Sequence, residues 1–378
     1  MSLIQYITRI NFDFGAIELL HSECERIGIK KPLIVTDKGV VAAGLVEKAL
    51  IALRSIKAVI FDETPPNPTE SSVRSAVATY KSHQCDGIVA VGGGSSIDLA
   101  KGVAVCATHD GPLQQFAVIE GGLQRITAAT APVIAIPTTA GTGSEVGRGA
   151  ILILDDGRKV GIISPFVVPQ SAICDPQLTV GLPPLLTAAT GMDAIAHCIE
   201  TFLSPAFNPP ADGISLDGLR RAWKFIVVAT RNGADVDARL NMMSASLQGA
   251  LAFQKGLGCV HSLSHSLGGI NPKLHHGTLN AIFLPAVIKF NRAAPSVLAE
   301  QKIARIAAAM DLQSTAHVEQ ALKEMTERLG LPTKLSSLGV THDQFPKIVK
   351  GAVADHSHKT NPIDASSKDY QDMLEASF

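Results

Sequence analysis

The sequence predicts an α/β domain built on a parallel sheet, followed by an all-helical domain. Two observations carry this. Short apolar runs alternate with amphipathic stretches through the first half of the chain, and beyond about residue 183 the strand signals give way to long helix-periodic segments. A length of 378 residues also exceeds one typical domain. Gly-Leu-Pro-Pro at 181–184 forms the natural seam. The expected domains are therefore 1–183, a Rossmann-like dinucleotide-type unit, and 184–378, a helical unit.

KPLIVTD (31–37) reads as a strand, and VVAAGLVEKALIAL (40–53) as a helix. KAVIFD (57–62) is again strand-like, and PTESSVRSAVATYKSH (68–83) is helical. GIVAVGGG (87–94) runs into the helical SSIDLAKGVAVCAT (95–108), and the strand APVIAIPTT (131–139) follows. Strands alternating with helices imply βαβ units, with both sheet faces covered. The segments 183–204, 214–233, 238–256, 295–310 and 317–330 all carry helical periodicity.

Hydrophobic residues at 46% and charged residues at 18% allow sizeable cores. A net charge of −1 without a basic block argues against nucleic acid or an anionic membrane as partner. The opening MSLIQYITRINFDFGAIELL lacks the layout of a signal peptide, and no apolar run reaches the roughly 18 residues of a membrane span. Six scattered cysteines with no CxxC pair argue against a thiolate zinc site and a disulfide framework. A cytoplasmic location is expected.

Two glycine-rich turns point to a nucleotide. Gly92-Gly93-Gly94-Ser95-Ser96, with Asp98 close behind, sits where a buried strand turns into a helix. Glycine lets the backbone approach a ligand, and a helix N-terminus favours a pyrophosphate. The same residues would also serve as a tight turn, with Ser95 and Asp98 as a capping-box variant. Thr138, Thr139, Thr142 and Ser144 mark a second such turn, Pro137–Glu145, after another strand. Both turns fall at carboxyl ends of parallel strands, where α/β sheets bind ligands. Asp37 ends the first strand; an acid there accepts from ribose hydroxyls and repels a 2′-phosphate, favouring NAD over NADP.

Asp193 and His197 stand four apart on a predicted helix, which puts a carboxylate and an imidazole on one apolar face. His261, His265, His275 and His276 follow, four histidines within 16 residues of an otherwise apolar segment. One carboxylate plus imidazoles, without thiolate, suits Fe(II) or Zn(II).

Together, TDKG, GGGSSIDLAK, PTTAGTGSEV, GMDAIAHCIE and VHSLSH…HHGTLNAIFLP resemble the iron-containing (group III) alcohol dehydrogenases over nearly the whole chain. The resemblance implies a dehydroquinate-synthase-like architecture, NAD and a divalent metal, iron foremost. It implies the ligands Asp193, His197, His261 and His276, the last chosen over His275 because a glycine follows it. The loop before this pair looks one residue longer than the family's. His265 matches a family histidine near the substrate oxygen, and Lys159 a family lysine near the cofactor. TRINFDFGAI, NPPADGI, LHHGT and DHSHKTNP further resemble the 4-hydroxybutyrate dehydrogenases.

The expected chemistry is interconversion of a primary alcohol and an aldehyde, 4-hydroxybutyrate and succinate semialdehyde in that branch. The metal acts as Lewis acid, NAD takes the hydride and His265 relays the alcohol proton. A substrate carboxylate would need a cation, for which Arg148, His356 and Lys359 are candidates. A homodimer is the expected assembly. Dehydroquinate-synthase-like lyases share the two-domain plan but need a basic cluster near the metal, and no Lys or Arg lies between His261 and Pro272. A non-catalytic nucleotide-binding protein with a structural metal would not need both glycine-rich turns and a full ligand set.

Overall fold

The computed structural model describes Ile4, Tyr6 and residues 8–378. The first positions read above for a leader, Met1–Leu3, Gln5 and Ile7, lie outside the described residues. Two compact units emerge, one of Tyr6–Thr139 with Ser144–Gly181, the other of Leu182–Phe378 with Ala140–Gly143.

Among the described residues the first unit holds eight strands: β1 (Ile10–Phe12), β2 (Pro32–Val35), β3 (Val59–Phe61), β4 (Gly87–Gly92), β5 (Val133–Pro137), β6 (Gly149–Ile153), β7 (Lys159–Ile163) and β8 (Ser171–Cys174). Six pair in parallel in the order β1-β8-β5-β4-β2-β3, while β6 and β7 form a separate antiparallel pair. The four strands foreseen are β2 to β5. Strands β1, β6, β7 and β8 escaped the sequence reading.

Alternation along each strand builds two cores. Leu33 and Val35 of β2, with Ile88 and Ala90 of β4, face Val73, Ala76 and Val103. Those three come from the helices Glu70–Ser82 and Gly94–Cys106. Ile34, Val89 and Val91 instead join Leu20, Cys24, Ala49 and Leu53 of the helices Leu20–Ile27 and Leu45–Leu53. A period of two thus buries both faces. The helix expected over 40–53 is two helices, Lys38–Ala42 and Leu45–Leu53. Gly44 between them has φ +72°, a left-handed conformation that glycine adopts at no steric cost.

The second unit is helical, and no strand lies beyond Cys174 among the described residues. Helices Pro184–Leu203, Pro209–Arg231, Val236–Leu251, Cys259–Ile270 and His276–Asn291 carry the site. Two buried lysines close the C-terminal end of Pro184–Leu203. Lys255 Nζ donates to Phe202 O at 3.3 Å, and Lys302 Nζ donates to Ser204 O at 3.1 Å and Leu203 O at 3.5 Å. Helix-end carbonyls that lack intrahelical partners, the negative end of the dipole, and the carboxylates of Asp212 beside Lys255 and Glu300 beside Lys302 together account for the two cations. No helix among the described residues is long and apolar enough to cross a membrane. All six cysteines are free.

Candidate functional site

At the carboxyl ends of the central strands the first unit brings its predicted nucleotide residues together. Asp37 caps the helix Lys38–Ala42, accepting from Val40 N at 3.0 Å, and also accepts from Ser96 Oγ at 3.4 Å. The end of β2 is thereby joined to the turn after β4. A Cβ on Gly92 would lie 2.5 Å from Ser96 Oγ, so only glycine fits there. Thr138 N donates to Gly92 O at 3.0 Å, and the Thr139 side chain covers Gly93, leaving 3.2 Å for a Cβ. Gly94 opens the 13-residue helix Gly94–Cys106, whose first N–H groups project at this turn. Ser95 Oγ donates to Pro66 O, and Lys159 Nζ to Asn67 Oδ1 at 2.9 Å.

Ser144 Oγ donates to Asp98 Oδ1 at 2.5 Å, and Ile151 N to Asp98 Oδ2 at 3.1 Å. Buried Lys101 donates to Ser144 O and Oγ and to the carbonyls of Gly147 and Gly149, at 2.6 to 2.9 Å. Burial pushes the Lys101 amine down to about 8 and the Glu145 carboxyl up to about 7. Lys101 and Glu145 escaped the sequence reading. The spacing of Lys101 from Asp98, one helical turn, is the signal that could have found the first.

The middle of the second glycine-rich turn packs with the helical unit. A Cβ on Gly141 would sit 2.5 Å from Thr190 O, and one on Gly143 2.0 Å from the Ala250 Cβ. Gly141 O accepts from His197 Nδ1 at 3.1 Å. Thr142 therefore lies in a different unit from Thr138, Thr139 and Ser144.

Asp193 and His197 share a buried face of Pro184–Leu203, as their spacing predicts. His261 comes from Cys259–Ile270, and His276 opens His276–Asn291. The Nε2 atoms of His197, His261 and His276 lie 3.5, 3.8 and 3.7 Å from Asp193 Oδ1. Two donors each about 2.1 Å from one four-coordinate ion stand about 3.4 Å apart, so these residues fit such an ion. His275 is exposed. The glycine after His276 has a structural reason: a Cβ on Gly277 would lie 2.0 Å from Ala189 O, so glycine lets the two ligand helices touch.

The Asn280 amide reports the character of the cluster. Its Nδ2 lies 2.7 Å from Asp193 Oδ1 and 3.2 Å from Nε2 of both His261 and His276, while its Oδ1 is buried without a hydrogen-bond partner. Donor atoms thus converge on the most positive group within reach. Burial raises the Asp193 carboxyl, but the three imidazoles outweigh it and hold the group well below its usual range. Burial drives the His197 ring down to about 4. His261 moves up to about 9: burial opposes its charge, but Asp193 and Glu200 on either side prevail. Glu200 Oε2 lies 2.5 Å from His261 Nδ1, and its Oε1 accepts from Val260 N at 2.8 Å. Glu200 and the Gly141 carbonyl thus meet Nδ1 of two of these rings, leaving each Nε2 facing Asp193. Glu200 stands seven residues after Asp193 on the same helix, so extending the predicted stripe by one turn would have found it.

His265 lies one turn beyond His261, its ring 5.3 Å from that of His276 and 5.7 Å from that of His261. Of the three cations considered for a substrate carboxylate, Arg148 and Lys359 are exposed. His356 is half-buried, with its ring 5.6 Å from that of His265.

Comparison with known proteins follows this geometry. A family model described as iron-containing alcohol dehydrogenase matches residues 8–176, and one for the C-terminal part of that family matches 187–378. The chain is 63% identical over 382 residues, 100% of both chains, to a 4-hydroxybutyrate dehydrogenase of Cupriavidus necator. A crystal structure of a 1,3-propanediol oxidoreductase matches with TM-score 0.92 at 35% identity, covering 100% of both chains. A sulfoacetaldehyde reductase of Bifidobacterium kashiwanohense, solved with NAD+, matches with TM-score 0.88 at 26% identity, covering 99% and 98%. With both halves matched by its models, the chain is an oxidoreductase of the iron-containing alcohol dehydrogenase family.

Proposed function

We propose that this chain is an NAD- and metal-dependent dehydrogenase interconverting 4-hydroxybutyrate and succinate semialdehyde. One observation carries the reading: Nε2 of His197, His261 and His276 lie 3.5 to 3.8 Å from Asp193 Oδ1, with no thiolate among these groups. The likeness to the Cupriavidus necator enzyme supports the substrate. Bound there, Fe(II) or Zn(II) would supply Lewis acidity toward the substrate oxygen. Bound at the glycine-rich turns, NAD would supply the hydride-accepting chemistry.

The chain's own residues do the rest. Asp193 and the three histidines fix the ion, with Glu200 and the Gly141 carbonyl orienting two of the rings. Asp37 accepts from the ribose hydroxyls, and the glycine turn before Gly94–Cys106 offers N–H groups to the pyrophosphate. Thr138 and Thr139 shape the neighbouring turn. His265 receives the hydroxyl proton as the aldehyde forms.

The direct test follows NADH absorbance with a panel of primary alcohols and ω-hydroxy acids, using chelator-stripped and Fe(II)- or Zn(II)-reloaded protein. Activity is expected only after reloading. Full turnover by stripped protein of verified low metal content would sink the metal assignment.

Asp37 is tested by cofactor preference. Asp37→Gly removes the charge facing a 2′-phosphate, and glycine replaces an N-cap at a cost of only a few tenths of a kcal/mol. Like-charge repulsion of about 1–3 kcal/mol corresponds to a shift of roughly 5- to 150-fold toward NADP in relative kcat/KM. An unchanged ratio rejects the role.

A further inference from the structure

Behind His265, on a segment 90 residues further along the chain, stands a carboxylate that the reaction described so far does not use. Asp355 Oδ2 lies 3.0 Å from His265 Nδ1, and both side chains are more than nine-tenths buried. Its other oxygen accepts from Ser357 N at 2.8 Å, capping the short helix His356–Thr360. The carboxylate is thus fixed by backbone at one end and meets the imidazole at the other. Burial raises the Asp355 carboxyl, but His265 and His356 outweigh it and keep the group well below its usual range, so it stays ionised.

Donor atoms of His265, Asp355 and His356 lie within 4.8 Å of one another, a spacing that also invites a cation. The 3.0 Å separation of Nδ1 and Oδ2 is a hydrogen-bond length, shorter than the roughly 3.4 Å expected of two donors sharing a four-coordinate ion. The pair is a hydrogen-bonded dyad.

We propose that Asp355 is a positioning residue for proton transfer: its carboxylate pins the His265 imidazole in the tautomer with hydrogen on Nδ1 and the lone pair on Nε2. The inference rests on His265 being the proton acceptor, as proposed above. An ionised carboxylate only accepts, so the ring must donate at Nδ1. Neutral imidazole carries one hydrogen, which leaves Nε2 able to take another. In alcohol oxidation the substrate C–H bond breaks with both electrons, and hydride passes to the nicotinamide. The O–H bond breaks heterolytically, its proton goes to His265 Nε2, and the C=O bond forms. The alcohol is oxidised and NAD reduced. Held in the other tautomer, the ring would present an N–H to the hydroxyl and could not accept its proton.

Asp355→Asn isolates this effect. The amide oxygen still caps Ser357, so the helix start is retained, while the amide nitrogen replaces Oδ2 and donates to Nδ1. The hydrogen is thereby driven to Nε2. In metal-loaded enzyme kcat is expected to fall by about 100-fold or more, within the range of general-base and tautomer losses. KM for alcohol and NAD, and bound metal, should stay within about twofold. Asp355→Glu, which keeps the accepting charge, should recover at least about tenfold of the loss. In a His265→Ala background Asp355→Asn should change kcat by less than about threefold. Normal kcat in Asp355→Asn overturns the proposal, as does an undiminished loss in the His265→Ala background or loss of metal in place of kcat. Unchanged kcat in His265→Ala alone would remove His265 from the reaction and the inference with it. That result is distinct from failure of Asp355 alone.

Discussion

Asp193→Ala and His197→Ala will each abolish dehydrogenase activity and strip the protein of metal. Asp193 Oδ1 is the atom around which three Nε2 donors gather at 3.5 to 3.8 Å. Its loss removes the only carboxylate of the set and leaves three imidazoles, those of His197 and His261 buried, facing one another. His197 is held at Nδ1 by the Gly141 carbonyl, so no small rotation of another group replaces it. Elemental analysis after gel filtration checks this, and full stoichiometry in both variants would overturn the ligand assignment. Glu200→Gln should weaken metal binding by about 10- to 100-fold, since it removes the acceptor that orients His261. The same series has a pH signature. His261 in the metal-free protein is pushed up to about 9, so below that pH its proton competes with the metal and must leave on loading. Apparent affinity should rise with pH toward 9. Calorimetry in two buffers at pH 7 should show about one proton released by the parent, and fewer by Glu200→Gln, where one of the two carboxylates raising His261 is gone.

The second large effect concerns the substrate. Oxidation of 4-hydroxybutyrate should exceed that of butan-1-ol, of the same carbon count, by roughly 10- to 150-fold in kcat/KM. A charge-assisted hydrogen bond to the carboxylate contributes about 1.5–3 kcal/mol. His356→Ala, Arg148→Ala and Lys359→Ala then identify the partner, because the responsible cation erases most of the advantage while sparing butan-1-ol. Equal rates for acid and plain alcohol in the parent would mean that no carboxylate pocket exists. The metal assignment would survive that result.

Much of this site could be read from the chain because its donors obey local rules. Asp193 and His197 sit four apart on one helix, and His276 precedes a glycine. The strands β2 to β5 are apolar runs ended by glycine or polar residues. What escaped depends on contacts distant in sequence. Asp355 meets His265 across 90 residues. Asp98 and Ser144 stand 46 residues apart, and no local signal shows that they hydrogen-bond to each other or that Lys101 donates to Ser144. Nothing local shows that Ala140–Gly143 leaves the sheet domain to pack on helices.

Gly277 bears on how such a centre could be rebuilt elsewhere. With a Cβ only 2.0 Å from Ala189 O, any other residue would wedge apart the helices that carry Asp193 and His276. Binding geometry tolerates errors of about 0.5 Å, less than such a wedge would impose. Transplanting the aspartate and three histidines onto another bundle would therefore fail without this bare backbone position. A designer working from ligand identities alone would copy every coordinating atom and still miss the spacing, because the residue that sets it contributes no side chain.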